Sequence, residues 1–245
     1  MVDGRELQRL LEAGRHWECL GRGRTLLEEP SLSEGERVRV LLVLCRCHLA
    51  LGQAQAAVLA SRKAAALAGR LHDQEAAGES LLAVLDACLM VQDLAGAEAW
   101  LAEAERHAAT RLVDGGFAAA LLLARARLLG LGGRHQASVD EAFRALMAAR
   151  PLSPLQVQAQ LHLGRMGELM DRPVEAFSFA LAARVSAMDG LHGALESEAT
   201  ALMVRLLRRY GIGPVVELAW ELERQGVDLY QYMDLETMER LARGE

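Results

Sequence analysis

Asparagine is missing from this sequence, isoleucine and lysine occur once each (Ile212, Lys63), and aromatic residues make up 4% of the chain. So few aromatics, together with the lack of β-branched runs, exclude a sheet-rich architecture, because those residue types are the ones that fit a pleated, half-buried surface. The four cysteines form no Cys-x-x-Cys pair, which removes the usual zinc and dithiol signatures and leaves small buried thiols in a reducing compartment as the reading. There is no apolar signal core in MVDGRELQRL, and runs such as FAAALLLA (117–124) are far too short to span a bilayer, so a cytoplasmic location is expected. Nor is there a surplus of positive charge. A net charge of -6 argues against a nucleic-acid or membrane-surface binder, which needs a basic stripe.

What is present is Leu and Ala in quantity, within 52% apolar residues over 245 positions. That is enough to bury a substantial core, and both residues favour helix. Arginine supplies nearly all the positive charge, a skew attributed to a GC-rich genome, so a single Arg carries little information.

The sequence repeats. Gly-Arg-His stands at 14–16 and again at 133–135. With Gly14 and Gly133 as equivalent corners, further corners fall at Gly52, Gln92, Asp171 and Gly211, at intervals of 38, 40, 41, 38 and 40. Five residues after the corners stand Cys19, Ala57, Ala97, Ser138, Ala176 and Val216, and twelve after them Leu26, Ala64, Ala104, Ala145, Ala183 and Glu223. Small residues at such fixed offsets let two helices cross closely. The last repeat fits worst. Each corner lies between two apolar-periodic stretches, which predicts helix, tight turn, helix. Start signals are a capping box at Ser33–Glu36, Ser153 followed by Pro154, and the N-cap candidates Asp73, Asp114 and Asp189. The expected fold is all-α: a right-handed α-solenoid in one domain, with six hairpins at about 4–31, 33–69, 73–110, 114–150, 153–188 and 191–225, and a capping helix over about 228–243.

This pattern resembles the tetratricopeptide repeat (TPR): Gly or Asp at the corner, an aromatic residue or His two later and a small residue five later, over roughly residues 4 to 225. The repeat of that family is usually about 34 residues. The longer period is similar to the extended repeats of Rap/PlcR-type bacterial peptide receptors, MalT-type sensor domains and the LGN or kinesin-light-chain group. HEAT-type arrays share the period without this corner, and are the alternative fold.

The resemblance places the first helix of each hairpin on a concave face, with the residue six before each corner pointing into the groove. These are Gln8, Arg46, Asp86, Arg127, Arg165 and Arg205, flanked by Arg39, Glu79, Gln158 and Glu198 and, at the C-terminal end, Arg208 and Arg209. Two readings stand side by side. The column presents guanidinium forks to an acidic protein or peptide, or its members pair with one another, Arg46 with Asp86 and Arg165 with Glu168, across a solvated face. The absence of Asn and the presence of Leu42, Leu82, Leu123, Leu161 and Ala201 ten before their corners depart from TPR carboxylate clamps and pheromone pockets.

Catalytic and metal signatures are lacking. His192 and Glu196 share a helical face, which alone is a weak metal signal, and no cofactor is implied. The two Gly-Arg-His histidines, His16 and His135, are three periods apart and are expected at equivalent corners rather than in a shared site. Trp17, Trp100 and Trp220 all fall in second helices, where packing between hairpins is expected of them. The final stripe, with Tyr230, Tyr232, Met233, Leu235 and Met238, either caps the last hairpin or makes an oligomer or partner contact. Because the sequence opens almost at the first hairpin, no DNA-binding domain is expected ahead of it. The function expected is therefore a non-enzymatic scaffold that binds protein or peptide in its groove; the alternative is a ligand- or peptide-sensing module of a bacterial regulatory system.

Overall fold

A computed structural model of the chain describes residues 4–109 and 115–226, together with Glu236, Arg240 and Arg243. The described residues form helices and no strand. In chain order these are α1 (Gly4–Glu12), α2 (His16–Glu28), α3 (Glu34–Ala50), α4 (Ala54–Leu71), α5 (Gln74–Met90), α6 (Leu94–Ala109), α7 (Gly115–Leu131), α8 (His135–Ala148), α9 (Pro154–Leu169), α10 (Pro173–Asp189), α11 (Gly193–Tyr210) and α12 (Gly213–Arg224). None of them is long and apolar enough to cross a membrane. The chain divides into two compact units, Met1–Phe117 and Ala118–Glu245.

The corners are where local sequence acts most directly. Gly14, Gly52, Gln92, Gly133, Asp171 and Gly211 all take positive φ, between 56° and 74°. Five of them close in one way: the N–H of the residue after the corner donates to the carbonyl five positions back, as Arg15 does to Leu10 at 2.9 Å, Gln53 to His48 at 2.8 Å, Asp93 to Cys88 at 3.0 Å, Arg134 to Leu129 at 2.9 Å and Arg172 to Gly167 at 2.8 Å. This is the helix-ending bond that a left-handed residue permits, and it turns the chain back while satisfying carbonyls the helix leaves open. Gly meets no Cβ penalty there, and the polar side chains of Gln92 and Asp171 stand in for it. The sixth corner differs. Gly211 has ψ -165° and donates to Leu207 O at 2.8 Å, in keeping with the poor fit of the last repeat.

Helix starts follow the expected chemistry in part. Ser33 and Glu36 form the complete capping box, Ser153 accepts from Gln156 N ahead of Pro154, and Asp73 accepts from Ala76 N at 3.1 Å. Asp189 does not cap α11. It is the last residue of α10, which runs on to a turn at Leu191 (φ 58°), closed by His192 N on Ala187 O at 2.8 Å. Asp114 lies outside the described residues, as do Tyr230, Tyr232, Met233, Leu235 and Met238.

Within the first unit helices pack on their chain neighbours, and first helices also meet, α1 on α3 and α3 on α5. Its core includes Leu7, Leu20, Val40, Leu44, Cys19 and Cys47 in one cluster and Val38, Leu41, Leu42, Ala64 and Ala68 in the next. Arg37 ties α3 to the end of α2 by donating to the carbonyls of Leu27, Glu29 and Leu32 at 2.6–3.1 Å. The second unit repeats this plan, α9 on α11 and α10 on α12, around Phe177, Leu161, Leu202, Leu206 and Leu207. Small residues set the spacing: a Cβ on Gly167 would lie 3.0 Å from the Cα, Cβ and N of Ala176, the residue five after its corner.

Two of the tryptophans are not packed between hairpins. Trp17 and Trp220 are 68% and 61% exposed. Trp17 lies two residues before the buried Cys19, hence on the opposite side of α2. Trp100 is half-buried beneath the Arg62 guanidinium, 5.9 Å from its ring centre.

Candidate functional site

The charged column sits on the first helix of each hairpin, at six and thirteen residues before the corner, two helical turns apart and so on one face. In the first unit α3 carries Arg39 and Arg46, both exposed, and α5 carries Glu79, exposed, and Asp86, half-buried. Among the described residues no ion pair involves Arg39, Arg46 or Glu79. Gln8 on α1 donates to Glu12 at 2.9 Å.

In the second unit the column is knitted together. Arg127 on α7 donates to Gln158 Oε1 on α9 at 3.3 Å, and Arg165 on α9 pairs with Glu198 on α11. In both cases the residue six before one corner reaches the residue thirteen before the next. Arg205 then reaches back from α11 to α9, donating to both oxygens of Glu168 at 2.7–3.0 Å, with Arg209 at 3.9 Å from the same carboxylate. Tyr210 donates to Glu168 O at 3.2 Å and Asp171 Oδ1 at 3.0 Å, which fastens α11 to the α9 corner. The expected pairing of Arg165 with Glu168 is thus replaced by Arg165 with Glu198, because Glu168 is held from the other side by two guanidiniums. Arg208 is exposed and, with Arg205, lines an open concavity on α11 that includes Glu196, Ser197, Thr200, Ala201 and Val204.

A buried polar cluster lies beneath this face and had not been singled out from sequence. His162 on α9 is 6% exposed, and its Nε2 lies 2.8 Å from Ser138 Oγ on α8, which donates to Ala126 O on α7 at 2.7 Å. With the hydroxyl hydrogen committed to Ala126, the ring donates to Ser138. Burial, with Arg127 and Arg165 nearby, pushes the imidazole down to about 4. The repeat register contains a signal for these residues: nine before the corner α3, α5, α7 and α11 have Val43, Ala83, Ala124 and Leu202 where α9 has His162, and three before it α1, α3 and α5 have Leu11, Leu49 and Leu89 where α9 has Glu168.

His16 and His135 are the first residues of α2 and α8, one in each unit, and each has a buried Nδ1 without a hydrogen-bond partner. They are the same structural corner made twice. His192 Nε2 lies 2.9 Å from Leu152 O. Among the described residues no group of three or more His, Cys, Asp or Glu is placed to hold a metal ion.

The sequence matches no protein-family model, and no curated protein matches it significantly.

Proposed function

We propose that this chain is a right-handed α-solenoid of six hairpins, resembling the TPR family, that binds an acidic segment of a partner protein on the face made by its first helices. The observation that carries this reading is the pair Arg39 and Arg46: exposed, two turns apart on one face of α3, and engaged in no ion pair among the described residues. The equivalents of Arg46 on α9 and α11, Arg165 and Arg205, are by contrast taken up by Glu198 and Glu168.

Seven residues of helix advance about 10 Å, and three residues of a polyproline II helix, one full turn, cover about 9 Å. Two guanidiniums at that interval fit carboxylates three positions apart on one side of a peptide extended in that conformation, each taken bidentately. Exposed charges supply encounter rate and selectivity more than affinity, so binding weakens as salt is added.

Fluorescence anisotropy with labelled peptides tests this. A peptide with Glu at every third position should bind more tightly than a composition-matched peptide with its Glu residues clustered, and a Lys equivalent should not bind. Equal binding of acidic and basic peptides would overturn the reading.

A further inference from the structure

Cys19 on α2 and Cys47 on α3 are both fully buried and belong to one core cluster, close enough for each thiol to act on the ionisation of the other. Their meeting follows from the repeat. The residue five after one corner packs with the residue five before the next, as Ala57 shares a cluster with Ala87. Only in the first such pair are both positions cysteine.

A second observation concerns the closeness of the helices. Gly23, one turn along α2 from Cys19, leaves its side-chain space to Leu44, about one turn back from Cys47 on α3; a Cβ at Gly23 would lie 2.5 Å from Leu44 Cδ2. The side chain of Leu44 thus reaches the α2 backbone beside the thiols, where α2 packs on α3; a disulfide there needs the two Cβ atoms about 4 Å apart.

The third component is α1. Cys19 Sγ donates to the carbonyl of Leu7 at 3.4 Å, and Leu7 is fully buried, so α1 covers the pair. With 9 residues, α1 depends on docking for its stability, because helices shorter than about 12 residues are marginal by themselves. A short helix packed only along one side, as α1 is on α2 and α3, opens locally at a small fraction of the global free energy. While α1 is docked, burial pushes the Cys19 thiol up and the Cys47 thiol up to about 12, with the Cys19 thiol adding to the latter shift. The closed pair is therefore protonated and inert, since the thiolate is the nucleophile.

We propose that Cys19 and Cys47 form a redox-sensitive pair gated by α1, oxidised by a low-molecular-weight disulfide when α1 lifts, to a cross-link that ties α2 to α3. The thiolate of one cysteine attacks the small disulfide, forming a mixed disulfide and releasing one small thiolate. The second cysteine thiolate attacks the protein sulfur of that mixed disulfide, forming the cross-link and releasing the second small thiolate. Two cysteine thiols are oxidised, one small disulfide is reduced to two thiols, and the two cysteine protons pass to the released thiolates. The product has lost the S–H donor to Leu7, so α1 docks less firmly once the cross-link is made.

The test uses the full chain, reduced and then incubated under native conditions with oxidised glutathione, alkylated and examined by mass spectrometry. The expected result is a loss of two hydrogens, mapped to a peptide joining Cys19 and Cys47, forming several-fold faster in Leu7→Ala, and replaced by a glutathione adduct in Cys47→Ser. Absence of the cross-link in wild type while a free small dithiol is fully oxidised, its appearance only in denaturant, or its mapping to another pair would overturn the proposal. Should Leu7→Ala fail to fold, the gate is read in wild type: an oxidation rate faster than the opening rate of α1, measured by amide hydrogen exchange, contradicts it.

Discussion

Arg205 on α11 holds both carboxylate oxygens of Glu168 on α9, and the two partners are unequally placed: the Glu168 side chain is 11% exposed and that of Arg205 54%. The cost of breaking the pair therefore depends on which member is removed. Arg205→Ala leaves a buried carboxylate with only Arg209 near it, and should lower stability by about 2 kcal/mol in urea denaturation. Glu168→Leu restores the residue type found at this register in α1, α3 and α5, and strands only a hydrated guanidinium. Its expected effect is within about 1 kcal/mol of wild type. Equal losses for both variants would show that the pair acts as a unit rather than as a buried acid that needs a cation.

His162 makes stability depend on pH. Its folded value of about 4 lies below its ordinary 6.5, so between those values the unfolded chain binds the extra proton and acidification favours unfolding. The stabilisation is complete above pH 6.5 and is lost progressively as pH falls, the loss reaching about 3 kcal/mol by pH 4. His162→Leu, which leaves Ser138 bonded to Ala126, should remove this component from the pH profile of urea midpoints. A profile unchanged in the variant would place the acid sensitivity elsewhere.

Two glycines should respond in opposite directions. Gly21 lies exposed within α2 with nothing within 4 Å of an added Cβ, so Gly21→Ala should stabilise by about 0.5–1 kcal/mol through helix propensity. Gly167→Ala places its methyl 3.0 Å from the α10 backbone and should cost about 1–3 kcal/mol, as overpacking does. Thermal melts of the two variants measure both.

The legible part of this protein was its corners. Gly14, Gly52, Gln92, Gly133, Asp171 and Gly211 were all recognisable because positive φ is a local demand that a residue meets with its own backbone. The capping box at Ser33 was readable for the same reason. Asp189 misled because an acidic residue ahead of a helical stretch looks alike whether it ends one helix or starts the next. The partners of the charged column were less legible. Arg165 has carboxylates available at Glu168 and Glu198, and the choice is made by Arg205 and Arg209 arriving from another helix. Periodicity marked Trp17 as apolar but did not say which side of α2 the chain covers; Cys19, two residues on, takes the inner side. The polar character of α9 was available from the register, at His162 and Glu168, only by asking where one repeat departs from the others.

The central claim, that the exposed guanidiniums of α3 select an acidic extended segment, is tested most directly by reversing their charge. In the variant Arg39→Glu with Arg46→Glu, anisotropy should show at least tenfold weaker binding of the peptide with Glu at every third position and new, salt-sensitive binding of its Lys equivalent, with helicity and melting unchanged. Undiminished binding of the acidic peptide by this variant would contradict the account.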